Sequence, residues 1–119
     1  MAGRAKLGPR ALKRGEIYLV RLDPTEGREQ QSFRPVLIIS PTAFNQATQL
    51  PIVLPITTGG DFARKIGFSV TISGISTTGI IRCDQPRVLD LKARNGRKID
   101  DLLPAQIDDV LAKLATLLG

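Results

Sequence analysis

The 119-residue chain carries 17 Lys and Arg against 11 Asp and Glu, a single cysteine and no histidine, and 42% of it is apolar. That length and apolar share suit one domain with one core, and no apolar run is long enough to span a bilayer. The missing histidine excludes Ser-His-Asp and Cys-His nucleophile systems, histidine acid–base chemistry and histidine metal sites; one cysteine allows neither an intramolecular disulfide nor a cysteine zinc site.

The +6 charge is unevenly spread. Residues 1–14 hold Arg4, Lys6, Arg10, Lys13 and Arg14 with no acid, while residues 15–81 hold five bases and five acids. Residues 82–98 hold six bases and two acids, and the last 21 residues four Asp and one Lys. The basic start has no apolar stretch behind it, so no secretory signal is expected, and a lone thiol fits a reducing cytoplasm. A basic block inside the fold points to a polyanionic partner.

In chain order, residues 1–13 read as a disordered basic tail, with Gly3, Gly8 and Pro9 and little periodicity. Residues 14–119 read as a single domain. "GEIYLVRL" (15–22) is apolar on both alternating sets and predicts a largely buried strand. "DPTEGREQQSF" (23–33) is a polar loop, long enough to be functional. "RPVLIIS" (34–40) predicts a second strand, with Pro35 near its start. "PTAFNQATQ" (41–49) predicts a short helical turn with Ser40 as cap and Pro41 at the first helical position. "LPIVLPITT" (50–58) predicts a third strand, and "GGDFARKIG" (59–67) a second polar loop.

Strands are expected at 68–73 and 77–85, joined by a short turn at Gly74, with "PRVLDL" (86–91) continuing or following. "KARNGRK" (92–98) predicts a basic turn centred on Asn95–Gly96. "PAQIDDVLAKLATLLG" (104–119) predicts a helix with Pro104 at its first position. Its apolar face would comprise Ile107, Val110, Leu111, Leu114, Leu117 and Leu118. The fold class is mainly β with a C-terminal helix: a small, strongly bent antiparallel sheet closing toward a barrel.

Three segments gather residues that do not help a core: "GREQQSFRP" with Arg28, Glu29 and Arg34; "PITTGG" with Thr57; and "RCDQPR" with Arg82, Asp84 and Arg87. Singly, each has a structural reading as a solvated Arg, a turn Thr or an ordinary ion pair. In an extended chain Arg82 and Asp84 share one face, with Cys83 on the other, packed as a buried thiol. Arginines with a carboxylate and a hydroxyl, in a basic protein without histidine, suit metal-free RNA cleavage. RNA brings its own 2′-OH nucleophile, a carboxylate takes its proton, and guanidinium groups stabilise the phosphorane. Arg82 is read as a charge stabiliser, since its high pKa makes it a poor proton donor.

At these motifs the chain resembles the PemK/Kid branch of the MazF-like toxin ribonucleases, the toxic half of type II toxin–antitoxin pairs. The resemblance rests on "RGEIYLVRLDPTEGREQQSFRPVLIISPTAFN" (14–45), "PITTGGDFARKIGFSV" (55–70) and "TTGIIRCDQPRVLDLKARNGRKI" (77–99). It implies a homodimeric, SH3-like or CcdB-like partly open barrel. It further implies metal-independent cleavage of single-stranded RNA, chiefly mRNA, to a 2′,3′-cyclic phosphate and a 5′-hydroxyl. By position it implies Asp84 as the base and Arg82 as acid or phosphate stabiliser. Glu29, Arg34, Thr57 and Thr78 would hold RNA, with Arg87 joining them from the basic strand end. No cofactor and no membrane are expected. The partner would be an antitoxin whose acidic tail lies over the basic groove. The sequence departs from the branch at Arg28, where relatives carry a catalytic histidine. Arg28 supplies charge and bidentate bonds in that catalytic position but no neutral-pH proton shuttle. Ile66 also replaces a smaller residue. Two other readings fit the same barrel: a non-catalytic CcdB-like gyrase poison, and a degenerate toxin that binds RNA uncut.

Overall fold

The computed structural model describes residues 11–22, 33–58 and 67–119. Seven strands and two helices follow in order: β1 (Glu16–Arg21), β2 (Phe33–Ile38), α1 (Thr42–Thr48), β3 (Ile52–Thr57), β4 (Ser69–Thr71), β5 (Ile80–Arg82), β6 (Arg87–Val88), β7 (Arg97–Asp101) and α2 (Pro104–Leu118). All pairings are antiparallel, in the order β4-β5-β3-β2-β1-β7, with β6 also on β3.

The central strands are apolar on both alternating sets because both faces of the sheet are covered. On one face Ile17, Leu37, Leu54, Ile56, Val70, Ile81 and Cys83 pack with Val110 of α2, flanked by Ile107 and Leu114. On the other, Tyr18, Val20, Val36, Ile38 and Val53 lie under Leu89 and Leu91, with Leu12 and Leu22 at the margin. The N-terminal approach is tied down by Asn45, a buried residue of α1 whose Nδ2 donates to the carbonyls of Leu12 and Ser40 at 2.8 and 3.0 Å. Residues 1–10 of the expected tail lie outside the described residues.

Side chains tie each edge of the sheet to a neighbouring segment. Gln106 of α2 donates from Nε2 to the carbonyl of Thr71, the last residue of edge strand β4, at 2.9 Å. Asp100 of edge strand β7 accepts from Thr77, ahead of β5, through the backbone N–H and the hydroxyl, both at 2.9 Å. Backbone pairing among the described strands leaves the sheet open between β4 and β7.

Several expected elements differ. Ser40 does not cap α1; Pro41 holds that position, and the Ser40 hydroxyl instead bonds Asn45 and accepts the Ile52 N–H at 2.9 Å. The third strand starts later and ends earlier than expected, at Ile52–Thr57, with Pro55 inside it. The expected strand at 77–85 shrinks to three residues, Ile80–Arg82. The basic turn does not extend to 98. It closes with Asn95 in the left-handed region (φ 55°) and the Gly96 N–H on the Leu91 carbonyl at 2.7 Å, and the chain then enters β7. In α2, the expected apolar face is not covered to its end: Leu117 and Leu118 are exposed, Leu118 by 87%.

Candidate active site

The position of the Arg82–Asp84 pair follows from an interrupted ladder. On one side of β3, Thr57 and Ile56 face Ile80 and Ile81 of β5, whereas Val53 and Ile52 face Arg87 and Val88 of β6. The five residues 82–86 therefore span only Leu54 and Pro55. Pro55 and Pro86 have no N–H to extend the pairing, so the chain parts from β3 here: Arg82 still pairs with Ser69 of β4, and the residues after it leave the sheet. They form a turn closed by the Gln85 N–H on the Arg82 carbonyl at 3.2 Å, and the Cys83 N–H fastens it to the Phe68 carbonyl at 3.0 Å.

Within this turn the alternation persists. Ile81 and Cys83 are fully buried in the core. Arg82 and Asp84 point the other way and form a two-pronged ion pair: Nε donates to Oδ1 at 2.9 Å and Nη2 to Oδ2 at 2.7 Å. Their side chains are 17% and 22% exposed, so a ligand can reach both. The fork from Arg82 holds the Asp84 carboxyl below its usual range and raises the Arg82 guanidinium further above its own. Cys83 behind them is the buried thiol expected; burial pushes its pKa up to about 11, so it stays protonated at neutral pH.

The other expected residues fall into three groups. Arg34, Thr57 and Thr78 meet at one end of the sheet: β2 begins at Phe33, its antiparallel neighbour β3 ends at Thr57, and Thr57 faces Ile80, two residues after Thr78. Arg34 and Thr78 are exposed. Arg87 lies on the far side of the turn, exposed and opposite Val53, about 13 Å along β3 from Thr57. Arg28 and Glu29 lie outside the described residues, as does Ile66.

Thr57 has a feature the sequence did not signal. Its Oγ1 is buried and has no hydrogen-bond partner among the described residues. An unbonded buried hydroxyl is destabilising, so this atom stands out from the satisfied polar groups around it. Gly79 is a second residue that sequence reasoning passed over. Its φ of +134° is closed to side-chain-bearing residues, and a Cβ there would lie 2.7 Å from the Thr57 carbonyl oxygen. The Thr-Thr-Gly spacing before an apolar pair was the available clue. Among the described residues, no three of His, Cys, Asp and Glu gather where they could hold one metal ion.

The family of PemK-like, MazF-like toxins of type II toxin–antitoxin systems matches residues 13–118. This chain belongs to that family. The toxin is 52% identical to endoribonuclease PemK of Escherichia coli over 109 residues, covering 90% of this chain and 82% of the relative. It is 40% identical to the endoribonuclease toxin ChpB of Escherichia coli strain K12, covering 86% and 90%. Its fold matches a chain of the MazE–MazF crystal structure from Deinococcus radiodurans with a TM-score of 0.77 at 26% identity, covering 92% of this toxin and 98% of that chain. The expected family and the expected mainly β architecture with a C-terminal helix both hold. Among the described residues, no helix is long and apolar enough to cross a membrane.

Proposed function

We propose that this toxin is an endoribonuclease that cleaves single-stranded RNA, chiefly mRNA, at the Arg82–Asp84 pair. The observation that carries the reading is the pair itself: a guanidinium from the end of β5 and a carboxylate from the turn that follows, locked fork to fork and open to solvent. Its relatives PemK and ChpB are endoribonucleases.

The resting pair is a poor base, because Arg82 stabilises the ionised form of Asp84. A phosphodiester changes that. Its oxygens compete for the same fork, which is built for bidentate oxyanion binding. As Arg82 turns to the phosphate, Asp84 loses its stabiliser and its proton affinity rises. Asp84 then takes the 2′-OH proton as the 2′-oxygen attacks phosphorus. Arg82 holds the equatorial oxygens of the phosphorane. The bond from phosphorus to the 5′-oxygen breaks, and that oxygen takes a proton from water. The products are a 2′,3′-cyclic phosphate and a 5′-hydroxyl. Thr57 Oγ1 gains a partner in the bound state, Arg34 and Arg87 supply positive charge on either side of the turn, and Thr78 flanks the entrance. Arg28 and Glu29, which lie outside the described residues, join this set on the strength of the sequence alone. The toxin works as a homodimer in the cytoplasm and is silenced by an antitoxin whose acidic tail occupies the same basic surface.

The test is incubation of the purified protein with mixed-sequence single-stranded RNA in excess EDTA, beside the same sequence built from 2′-deoxy sugars. Discrete cuts in RNA alone, ending in a cyclic phosphate, are expected. RNA bound but uncut would overturn the enzyme reading in favour of a binding toxin.

A further inference from the structure

We infer that Asp100, on the opposite edge strand of the sheet, is a positioning residue for RNA cleavage that acts through Thr78. The inference rests on the reading of Arg82–Asp84 as the RNA-cleaving pair.

Asp100 reaches the site because β7 carries a bulge. Tyr18 faces Lys98, yet Ile17 faces Asp100, so Ile99 is an extra residue in the pairing. In a regular strand Lys98 and Asp100 would share a face. The bulge separates them. Lys98 stays on the face of Tyr18 and joins Glu16 at 3.3 Å, and Asp100 turns to the face of Ile17, beneath the segment entering β5.

There its carboxylate clamps Thr77, with Oδ2 accepting both the N–H and the hydroxyl at 2.9 Å, while Oδ1 accepts the Asp101 N–H at 3.0 Å. The segment 73–79 is held at further points. The Ser73 N–H donates to Gln106 Oε1 at 3.3 Å, and Gly74 lies so close to Leu103 that a Cβ would approach it to 2.8 Å. Gly79 presses on the Thr57 carbonyl. Thr78 thus sits between two fixed residues, Thr77 and Gly79. It is exposed and takes no hydrogen bond within the described residues. An anion near an RNA site repels phosphate unless it is fully engaged. Asp100 is engaged by N–H and O–H donors, so its role is to fix Thr78 against the bound base and not to meet the RNA.

The experiment is a double-mutant cycle on kcat/KM with Asp100→Ala and Thr78→Ala, read on RNA oligonucleotides that differ only in the bases flanking the cut. Asp100→Ala is expected to lower kcat/KM about ten- to a hundredfold, chiefly through KM, and to flatten the preference between oligonucleotides. Thr78→Ala in the Asp100→Ala background adds less than about twofold, because the two act as one unit. Asp100→Asn retains an amide oxygen that accepts both Thr77 bonds, so it keeps near wild-type preference; this variant carries the test if the alanine variant does not fold. Additive losses, a uniform fall in kcat with unchanged preference, or a flattened preference in a folded Asp100→Asn would each overturn the inference. If the wild-type protein leaves every oligonucleotide uncut, the reading of the Arg82–Asp84 site fails instead.

Discussion

Replacing Asp84 by Asn separates binding from chemistry at this site. The amide has nearly the shape of the carboxylate, and its single oxygen can still accept from the Arg82 fork, which now has bonds of 2.9 and 2.7 Å. It cannot take a proton. A general base is worth about 10²–10⁴ in rate, so kcat should fall by that factor. Binding should not fall, since the substitution removes a negative charge beside the phosphate and loosens the competitor for Arg82. The loss in stability should be small. The pair is 17% and 22% exposed, between the surface and interior cases, and weakening it costs about 1 kcal/mol. For a domain of this size that is a melting-temperature drop of roughly 4 °C. The assay is a single-turnover cleavage rate on a labelled RNA in EDTA, with affinity measured on its 2′-deoxy counterpart. A variant that cuts within about threefold of wild type would refute the base assignment, as would one that melts and cuts normally but no longer binds.

The lowered Asp84 pKa gives a signed pH dependence. In the free enzyme Asp84 stays ionised below the ordinary carboxylate range, so kcat/KM should hold its value into acid. On the proposed mechanism the phosphate draws Arg82 away in the complex, so the acid limb of kcat should lie at higher pH; coincident limbs would refute the exchange of partners. The same shift contributes stability that is complete above the unfolded pKa of about 3.9 and is lost as pH falls through the lower folded value, which an acid titration of unfolding checks. Thr57→Val removes the unbonded buried hydroxyl, so the melting temperature should hold or rise while affinity for RNA falls; a loss of stability with normal affinity would assign the hydroxyl a structural role. Gly79→Ala forces a Cβ to within 2.7 Å of the Thr57 carbonyl at φ +134° and should destabilise by at least about 1 kcal/mol, seen as a lower denaturant midpoint.

The core was legible because its strands are. Ile17, Val20, Val36, Leu37, Val53 and Leu54 sit in apolar runs whose only stable use is a sheet covered on both faces. The pairing of Arg82 with Asp84 was legible too, since it needs only a period of two. The edge strand β7 was not. "RKIDD" is polar at four of five positions because an edge strand exposes most of its side chains, and it becomes a strand only through β1. Nor could the sequence reveal that Pro55 lies opposite the surplus residues 82–86, because that depends on which strands become neighbours. The bond from Asp100 to Thr77 links residues 23 apart through the curl of the whole sheet, and no local pattern encodes it.

The geometry also argues for why the pair is closed at rest. A free carboxylate on a basic RNA-binding surface would repel the phosphate it must later serve, and a free guanidinium would take any passing anion. Locked together, each conceals the other. A ligand must then offer an oxyanion good enough to replace a two-pronged carboxylate contact before Asp84 gains proton affinity. A phosphodiester meets that condition, and only an RNA strand also presents a 2′-OH to the released base. DNA would open the pair and leave Asp84 with no proton to take. On the proposed mechanism, discrimination between the two nucleic acids at this site belongs to the chemical step, so a 2′-deoxy strand should inhibit with an affinity close to that of RNA itself. Weak inhibition would place a 2′-OH contact in the ground state and remove this division of labour between Arg82 and Asp84.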